Sequence, residues 1–181
     1  LKLNEIQDNV IVIDSVSKRY SMCGARVGAL VTKNKTVLDA VMKFAQARLS
    51  PPTLGQIAGE FALDTPQSYF DEVNREYNLR RNVLVDGLNS IPGVLCPKPK
   101  GAFYCMARLP IDDSDRFCQW ILENYQLEGK TVMMAPGSGF YASEGAGKNE
   151  VRLAYVLRQE DLIESVQIIR EALHVYPGRT N

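Results

Sequence analysis

Lys18 lies in the run Asp14-Ser15-Val16-Ser17-Lys18-Arg19-Tyr20-Ser21-Met22-Cys23-Gly24-Ala25-Arg26-Val27-Gly28, between two apolar stretches, Val10 to Ile13 and Val27 to Val31. Short apolar runs of this kind read as buried strands, which puts the lysine in a loop where a strand emerges. A primary amine in such a place can form a Schiff base with a carbonyl. The hydroxyls of Ser15 and Ser17 and the guanidinium of Arg26, eight residues beyond the lysine, are neutral and cationic donors suited to a phosphate. An amine beside a phosphate cradle points to pyridoxal phosphate. A lysine in a polar loop is more often solvated surface, and for Lys18 taken alone that reading prevails; the surrounding string weighs against it.

Ser15, Lys18 and Arg26, with Gly24 and Gly28 two residues either side of the arginine, resemble the Ser-x-x-Lys signature of the class I and II aminotransferases, part of the fold type I enzymes dependent on pyridoxal phosphate. The resemblance spans Ser15 to Gly28 without a break. It implies that Lys18 is the catalytic lysine and that Ser15, Ser17 and Arg26 anchor the cofactor phosphate.

Composition narrows the partners. The 181 residues are 45% apolar and 23% charged, the profile of a globular protein large enough to bury a core. Lys plus Arg and Asp plus Glu are equal at 21, so no global field recruits nucleic acid or a membrane, and a small-molecule partner is expected. No apolar run is long enough to span a bilayer, and Leu1 to Asn9 lack the charged and apolar regions of a secretory signal, so a cytoplasmic location is expected. Cys23, Cys96, Cys105 and Cys118 form no C-x-x-C pair, and with a single His no metal site is expected. Cys23 is near the proposed site and is read as a packed loop thiol.

The elements that must position these groups follow from periodicity. After strand, loop and strand, an amphipathic helix is predicted over Lys35 to Leu49, with Val37, Leu38, Val41, Met42, Ala45 and Leu49 on one side, ended by Pro51 and Pro52. Another short helix is predicted over 53–63. Thr65 and Pro66 then read as the capping hydroxyl and first-turn proline of the longest helix, which carries Phe70, Val73, Tyr77, Leu84 and Leu88 and ends near Pro92-Gly93. Arg75, Arg80 and Arg81 on it are interspersed with Glu72, Glu76 and Asp86, a solvated face rather than a nucleic-acid site.

Beyond Gly93 the rhythm is α+β. Strands are predicted at Ala102 to Ala107, Thr131 to Met134 and Val151 to Val156, and helices at 114–126 and at Asp161 to Leu173, the latter with Leu162, Val166, Ile169 and Leu173 inward. Asp112 and Asp113 precede the first of these helices and are read as caps rather than an acid/base pair. Pro136 to Phe140 and Ser143 to Gly147 form a glycine-rich loop, without the lysine of a Walker motif, read as a mobile connector over the active site. His174 closes the last helix with a favourable charge and is assigned no function.

Arg152 lies in the strand Val151-Arg152-Leu153-Ala154-Tyr155-Val156, on the face opposite Val151, Leu153 and Tyr155. In the aminotransferase family a glycine-rich loop is followed by a strand bearing the arginine that binds the substrate α-carboxylate, and 136–156 resembles that element. The resemblance therefore implies that Arg152 is the substrate-binding residue. Pro99 to Tyr104 is similar to the family's glycine-containing strand of the small domain, where ordinary core aromatics fit as well as a site role. The long helix is similar to the one linking the family's two domains.

The fold class this implies is α/β: the C-terminal portion of the fold type I architecture, with 1–65 a remnant of the parallel-sheet large domain and 66–181 the linking helix and an α+β small domain. The family also needs parts upstream of its lysine: a phosphate-binding helix N-terminus, an aromatic stacked on the pyridine ring, an Asn, and an Asp that keeps the ring nitrogen protonated. Only seventeen residues precede Lys18, and neither Asp8 nor Asp14 can take the place of that Asp. The expectation is transamination between an amino acid, aspartate by default, and a 2-oxo acid in a full-length homodimeric parent, with little activity in this chain alone. A pyridoxal-phosphate-dependent decarboxylase or lyase, or a non-catalytic assembly fragment, are the alternatives.

Overall fold

In a computed structural model, which describes residues 3–180, the chain divides into two compact units, Leu1–Tyr69 and Phe70–Asn181. The division falls inside the longest helix rather than at its start. The expectations attached to residues 1, 2 and 181 lie outside the described residues.

In the first unit a turn of 3₁₀ helix leads into strand β1 (Ile11–Ser15), the short helix α1 (Val16–Arg19), strand β2 (Gly28–Thr32) and helices α2 (Lys35–Arg48) and α3 (Thr53–Ala62). β1 and β2 pair antiparallel, with Ser15 opposite Gly28 and Ile11 opposite Thr32. This corrects the expectation of parallel partners. The segment 16–27 is taken up by the α1 turn and the 3₁₀ turn at Cys23–Ala25 and doubles back, so the chain returns along the strand it has just left. Asn34 caps α2 by accepting the Val37 N–H at 3.1 Å. The apolar side predicted for α2 is present, but none of its residues is buried, and Met42 and Phe44 are exposed.

In the second unit helix α4 (Gln67–Asn89) is followed by β3 (Tyr104–Arg108), α5 (Ser114–Asn124), β4 (Ala135–Pro136), β5 (Glu150–Ala154) and α6 (Gln159–Val175). The sheet is antiparallel in the order β3-β5-β4. The strand expected at Thr131 to Met134 does not form; pairing begins only at Ala135, opposite Arg152. The Thr65 hydroxyl donates at 2.7 Å to the carbonyl of Ala62 at the end of α3.

The core lies in this unit. Leu84, Val85 and Leu88 of α4, Cys105 and Ala107 of β3, Phe117 and Ile121 of α5, Val151 and Leu153 of β5, and Leu162, Ile169 and Leu173 of α6 are buried together. Each large side chain so buried contributes about 1.5–3 kcal/mol relative to exposure. Asp113 caps α5, accepting the Arg116 N–H at 3.0 Å. Asp112 pairs with Arg116 at 3.0 Å and accepts the Tyr176 hydroxyl at 2.9 Å. Both aspartates are thus engaged structurally.

Candidate active site

Ser15 ends β1 in an extended conformation and caps α1, its Oγ accepting the Ser17 N–H at 3.1 Å. That hydroxyl also lies 2.8 Å from the Ser17 hydroxyl and 3.3 Å from the Val27 carbonyl. The Ser-x-Ser spacing therefore makes a compact pair of hydroxyls at the end of a strand, a consequence of the preference of serine for helix caps. Lys18 sits in α1, exposed, one residue before Arg19, whose guanidinium is paired with Asp14 at 2.9 Å.

Arg26 follows a 3₁₀ turn at Cys23–Ala25 and has left-handed backbone angles, φ 55° and ψ 38°, uncommon for a residue with a side chain. Its Nη1 donates to the Cys23 carbonyl at 3.0 Å, which fixes one edge of the guanidinium. Behind this turn, Gly55 of α3 lies so close that a Cβ there would collide with the Ala25 carbonyl oxygen. The helix thus presses on the turn that presents the arginine.

Ser15 and Arg26 both line a groove of about 620 Å³ beside β1 and β2, together with Asp14, Phe44 and Arg48. Two hydroxyls, a guanidinium and a primary amine within one loop suit a phosphate ester that also carries an aldehyde. Ser17 and Lys18 do not line that groove. Among the described residues no cluster of three or more His, Cys, Asp or Glu could hold a metal ion.

Arg152 belongs to the second unit, at the middle of the central strand β5, opposite Met106 of β3 and Ala135 of β4. Val151 and Leu153 point into the core, so Arg152 is on the outer face, half-buried. Its guanidinium carbon lies 4.5 Å from the ring centroid of Tyr104 and 4.2 Å from that of Phe140. Glu150, on the same face, accepts the Tyr141 hydroxyl, and its carboxylate pushes the pKa of that phenol up. Among the described residues, no hydrogen bond or ion pair engages the Arg152 side chain. Neither Tyr104 nor Phe140 is marked by sequence spacing as a neighbour of this arginine. For Tyr104 the signal exists in principle, since it shares its parity with Met106, but the register that sets Met106 beside Arg152 is not written in either strand alone.

The remaining candidates are accounted for structurally. Arg80 pairs with Glu76 at 2.7 Å and donates to the Val156 carbonyl, and Arg81 donates to the Pro99 carbonyl. His174 Nδ1 lies 3.1 Å from Arg179 Nη1. Cys96 and Cys105 are buried, with the Cys96 thiol 4.0 Å from the Pro97 carbonyl, while Cys23 is exposed. Among the described residues no helix is long and apolar enough to cross a membrane.

The family model described as aminotransferase class I and II matches residues 2–169. An aspartate aminotransferase of Pyrococcus horikoshii is 32% identical over 170 residues, covering 92% of this chain and 41% of its own length. The chain thus spans about two fifths of the length of the curated relatives it matches. The crystal structure of an aspartate aminotransferase from Rhizobium meliloti superposes with a TM-score of 0.77 at 27% identity, over 93% of this chain and 43% of that one. An alpha-aminoadipate aminotransferase from Thermus thermophilus, complexed with N-(5'-phosphopyridoxyl)-L-leucine, gives a TM-score of 0.77 at 28% identity, over 91% of this chain and 42% of that one.

Proposed function

Since the chain belongs to the class I and II aminotransferases, we propose that it supplies the lysine and arginine of an enzyme moving an amino group between an amino acid and a 2-oxo acid, with pyridoxal 5'-phosphate as cofactor. Its fold is a portion of the fold type I aminotransferase architecture. On this reading 1–65 belongs to the cofactor-binding domain and 66–181 comprises the linking helix and small domain. The observation that supports it is that Ser15 and Arg26, at the two ends of the β1–β2 connection, line one groove, with the Ser17 hydroxyl 2.8 Å from that of Ser15 and Lys18 in the short helix between them.

Each residue has a distinct task. Ser15, Ser17 and Arg26 hold the phosphate, with the Arg26 edge left over from its bond to Cys23 O. Lys18 would hold the cofactor through its amine and, freed when substrate binds, would carry the proton from the substrate α-carbon to the carbon that bore the cofactor's aldehyde. When bound, the cofactor supplies an electron sink for the charge left on that carbon. Arg152 binds the substrate α-carboxylate, its planar fork matching two oxygens and orienting the amine. Aspartate is the proposed amino donor, supported by relatives named as aspartate aminotransferases at 32% and 33% identity. A homodimer and a cytoplasmic location complete the proposal, the latter supported by four unpaired cysteines.

Incubating the 181-residue chain with pyridoxal 5'-phosphate, reducing with borohydride and mapping the labelled lysine tests this. Labelling concentrated on Lys18, lost in Lys18→Ala and weakened in Arg26→Ala, is the expected result. Labelling scattered evenly over all lysines would mean that the loop does not recognise the cofactor and would favour a non-catalytic assembly role.

A further inference from the structure

Arg152 is a cation on the outer face of a three-stranded sheet with two aromatic rings against it and, among the described residues, no anion. Tyr104 reaches it from β3 because the β3–β5 register sets Met106 opposite Arg152 and Tyr104 two residues further along the same face. Phe140 reaches it from the glycine-rich segment between β4 and β5. That segment is drawn together at its neck: the Gly137 N–H donates to the Glu150 carbonyl at 2.7 Å, and a Cβ on Gly147 would stand 2.7 Å from the Gly137 carbonyl carbon. Gly147 also has φ +74°, a conformation open to glycine and strained for other residues. The Ser138–Phe140 turn therefore begins directly at a closed neck, which fixes where Phe140 can stand.

We propose that Tyr104 and Phe140 are positioning residues for Arg152, two rings that hold its guanidinium plane and leave its N–H edge for a planar carboxylate. The inference rests on Arg152 being the carboxylate anchor. Ring faces attract a cation electrostatically and cover its faces from water, while its in-plane donors stay available. Glu150, on the same face, accepts the Tyr141 hydroxyl, and among the described residues no ion pair joins it to the guanidinium. An arginine so held loses less side-chain freedom when it meets its ligand.

The test is ¹⁵N NMR of the Arg152 Nε–Hε group in the 181-residue chain, alone and titrated with propionate as the carboxylate probe. The rings should shift this resonance upfield and slow rotation about the Nε–Cζ bond. Tyr104→Leu and Phe140→Leu should each remove part of that shift and weaken propionate binding by about fivefold, whereas Tyr104→Phe should keep both. Leucine variants that keep the shift and the affinity would overturn the clamp, as would a Tyr104→Phe variant that loses as much as Tyr104→Leu. The anchor role is judged separately: if the chain does not respond to propionate, or Arg152→Gln binds it as the parent does, the carboxylate assignment fails, while the shift in the ligand-free chain still decides the clamp.

Discussion

Local hydrogen bonds hold the candidate residues near the start of the chain. Ser15 caps its own turn, Arg19 is tied to Asp14 and Arg26 to Cys23, all within five residues of one another. The run from Ser15 to Gly28 can therefore be compared with the family signature as one local stretch, whereas Tyr104, 48 positions from Arg152, is set beside it only by the register of β3 and β5. Tyr176 shows the same dependence on distant groups. It is buried against Phe117 and Trp120, with ring centroids 4.9 and 5.1 Å away, and it donates to Asp112 Oδ1 at 2.9 Å. Burial first, then the hydrogen bond to the Asp112 carboxylate, push its pKa up to about 12 from an ordinary value near 10. A phenol whose folded pKa is raised contributes stability that is fully present below about pH 10 and is lost as pH rises through about 12. Denaturation midpoints should therefore fall across that window in the parent and fall less in Tyr176→Phe, which has no proton to release. Equal slopes for the two proteins would show that Tyr176 does not set the alkaline limit.

Helix spacing was legible at the scale of elements, because an amphipathic repeat and its stop signals are local. α6 buries Leu162, Val166, Ile169 and Leu173 as the period requires, and α5 begins at its Asp113 cap. What the spacing could not carry was direction and pairing. β1 and β2 are apolar enough to lie in either a parallel or an antiparallel sheet, and only the tight path from Val16 to Val27 decides for antiparallel. Thr131 to Met134 has strand composition, yet no partner lies beside it until Ala135 meets Arg152. The fit of α3 against the turn at Cys23–Ala25 is likewise invisible in sequence, and it carries a prediction. A methyl group at Gly55 meets backbone, which cannot rotate away, so Gly55→Ala should displace the turn before Arg26 at a cost of about 1–3 kcal/mol. Affinity for pyridoxal 5'-phosphate should fall with it, measured by titration. Gly24→Ala, in the same turn with nothing within 4 Å of its Cβ, is the control and should bind as the parent does. Equal binding by all three would detach α3 from the site.

Burial is divided unequally over the whole molecule. All members of the hydrophobic core cluster lie from Leu84 onward, while in the first unit Ile13, Phe44, Leu54 and Phe61 are each more than 70% exposed. A two-stranded ribbon with two helices that bury no large side chain gains little of the area-dependent stabilisation that offsets chain entropy. The unit carrying Lys18 should therefore open far more readily than the unit carrying Arg152, in the manner of a protein whose regions unfold with separate free energies. Amide hydrogen exchange of the 181-residue chain measures this. Amides of β1, β2, α2 and α3 should exchange within minutes or faster, while those of β3, β5 and α6 stay protected for much longer. On the proposed role of Lys18, pyridoxal 5'-phosphate would bind only the ordered form of its loop, so saturating ligand should slow exchange in the first unit by a factor that grows with concentration over Kd and leave the second unit unchanged. Uniform protection of both units without ligand would show that the exposed apolar faces are not a stability deficit. Slowing confined to the second unit would place the ligand away from Lys18 and remove the basis for its role.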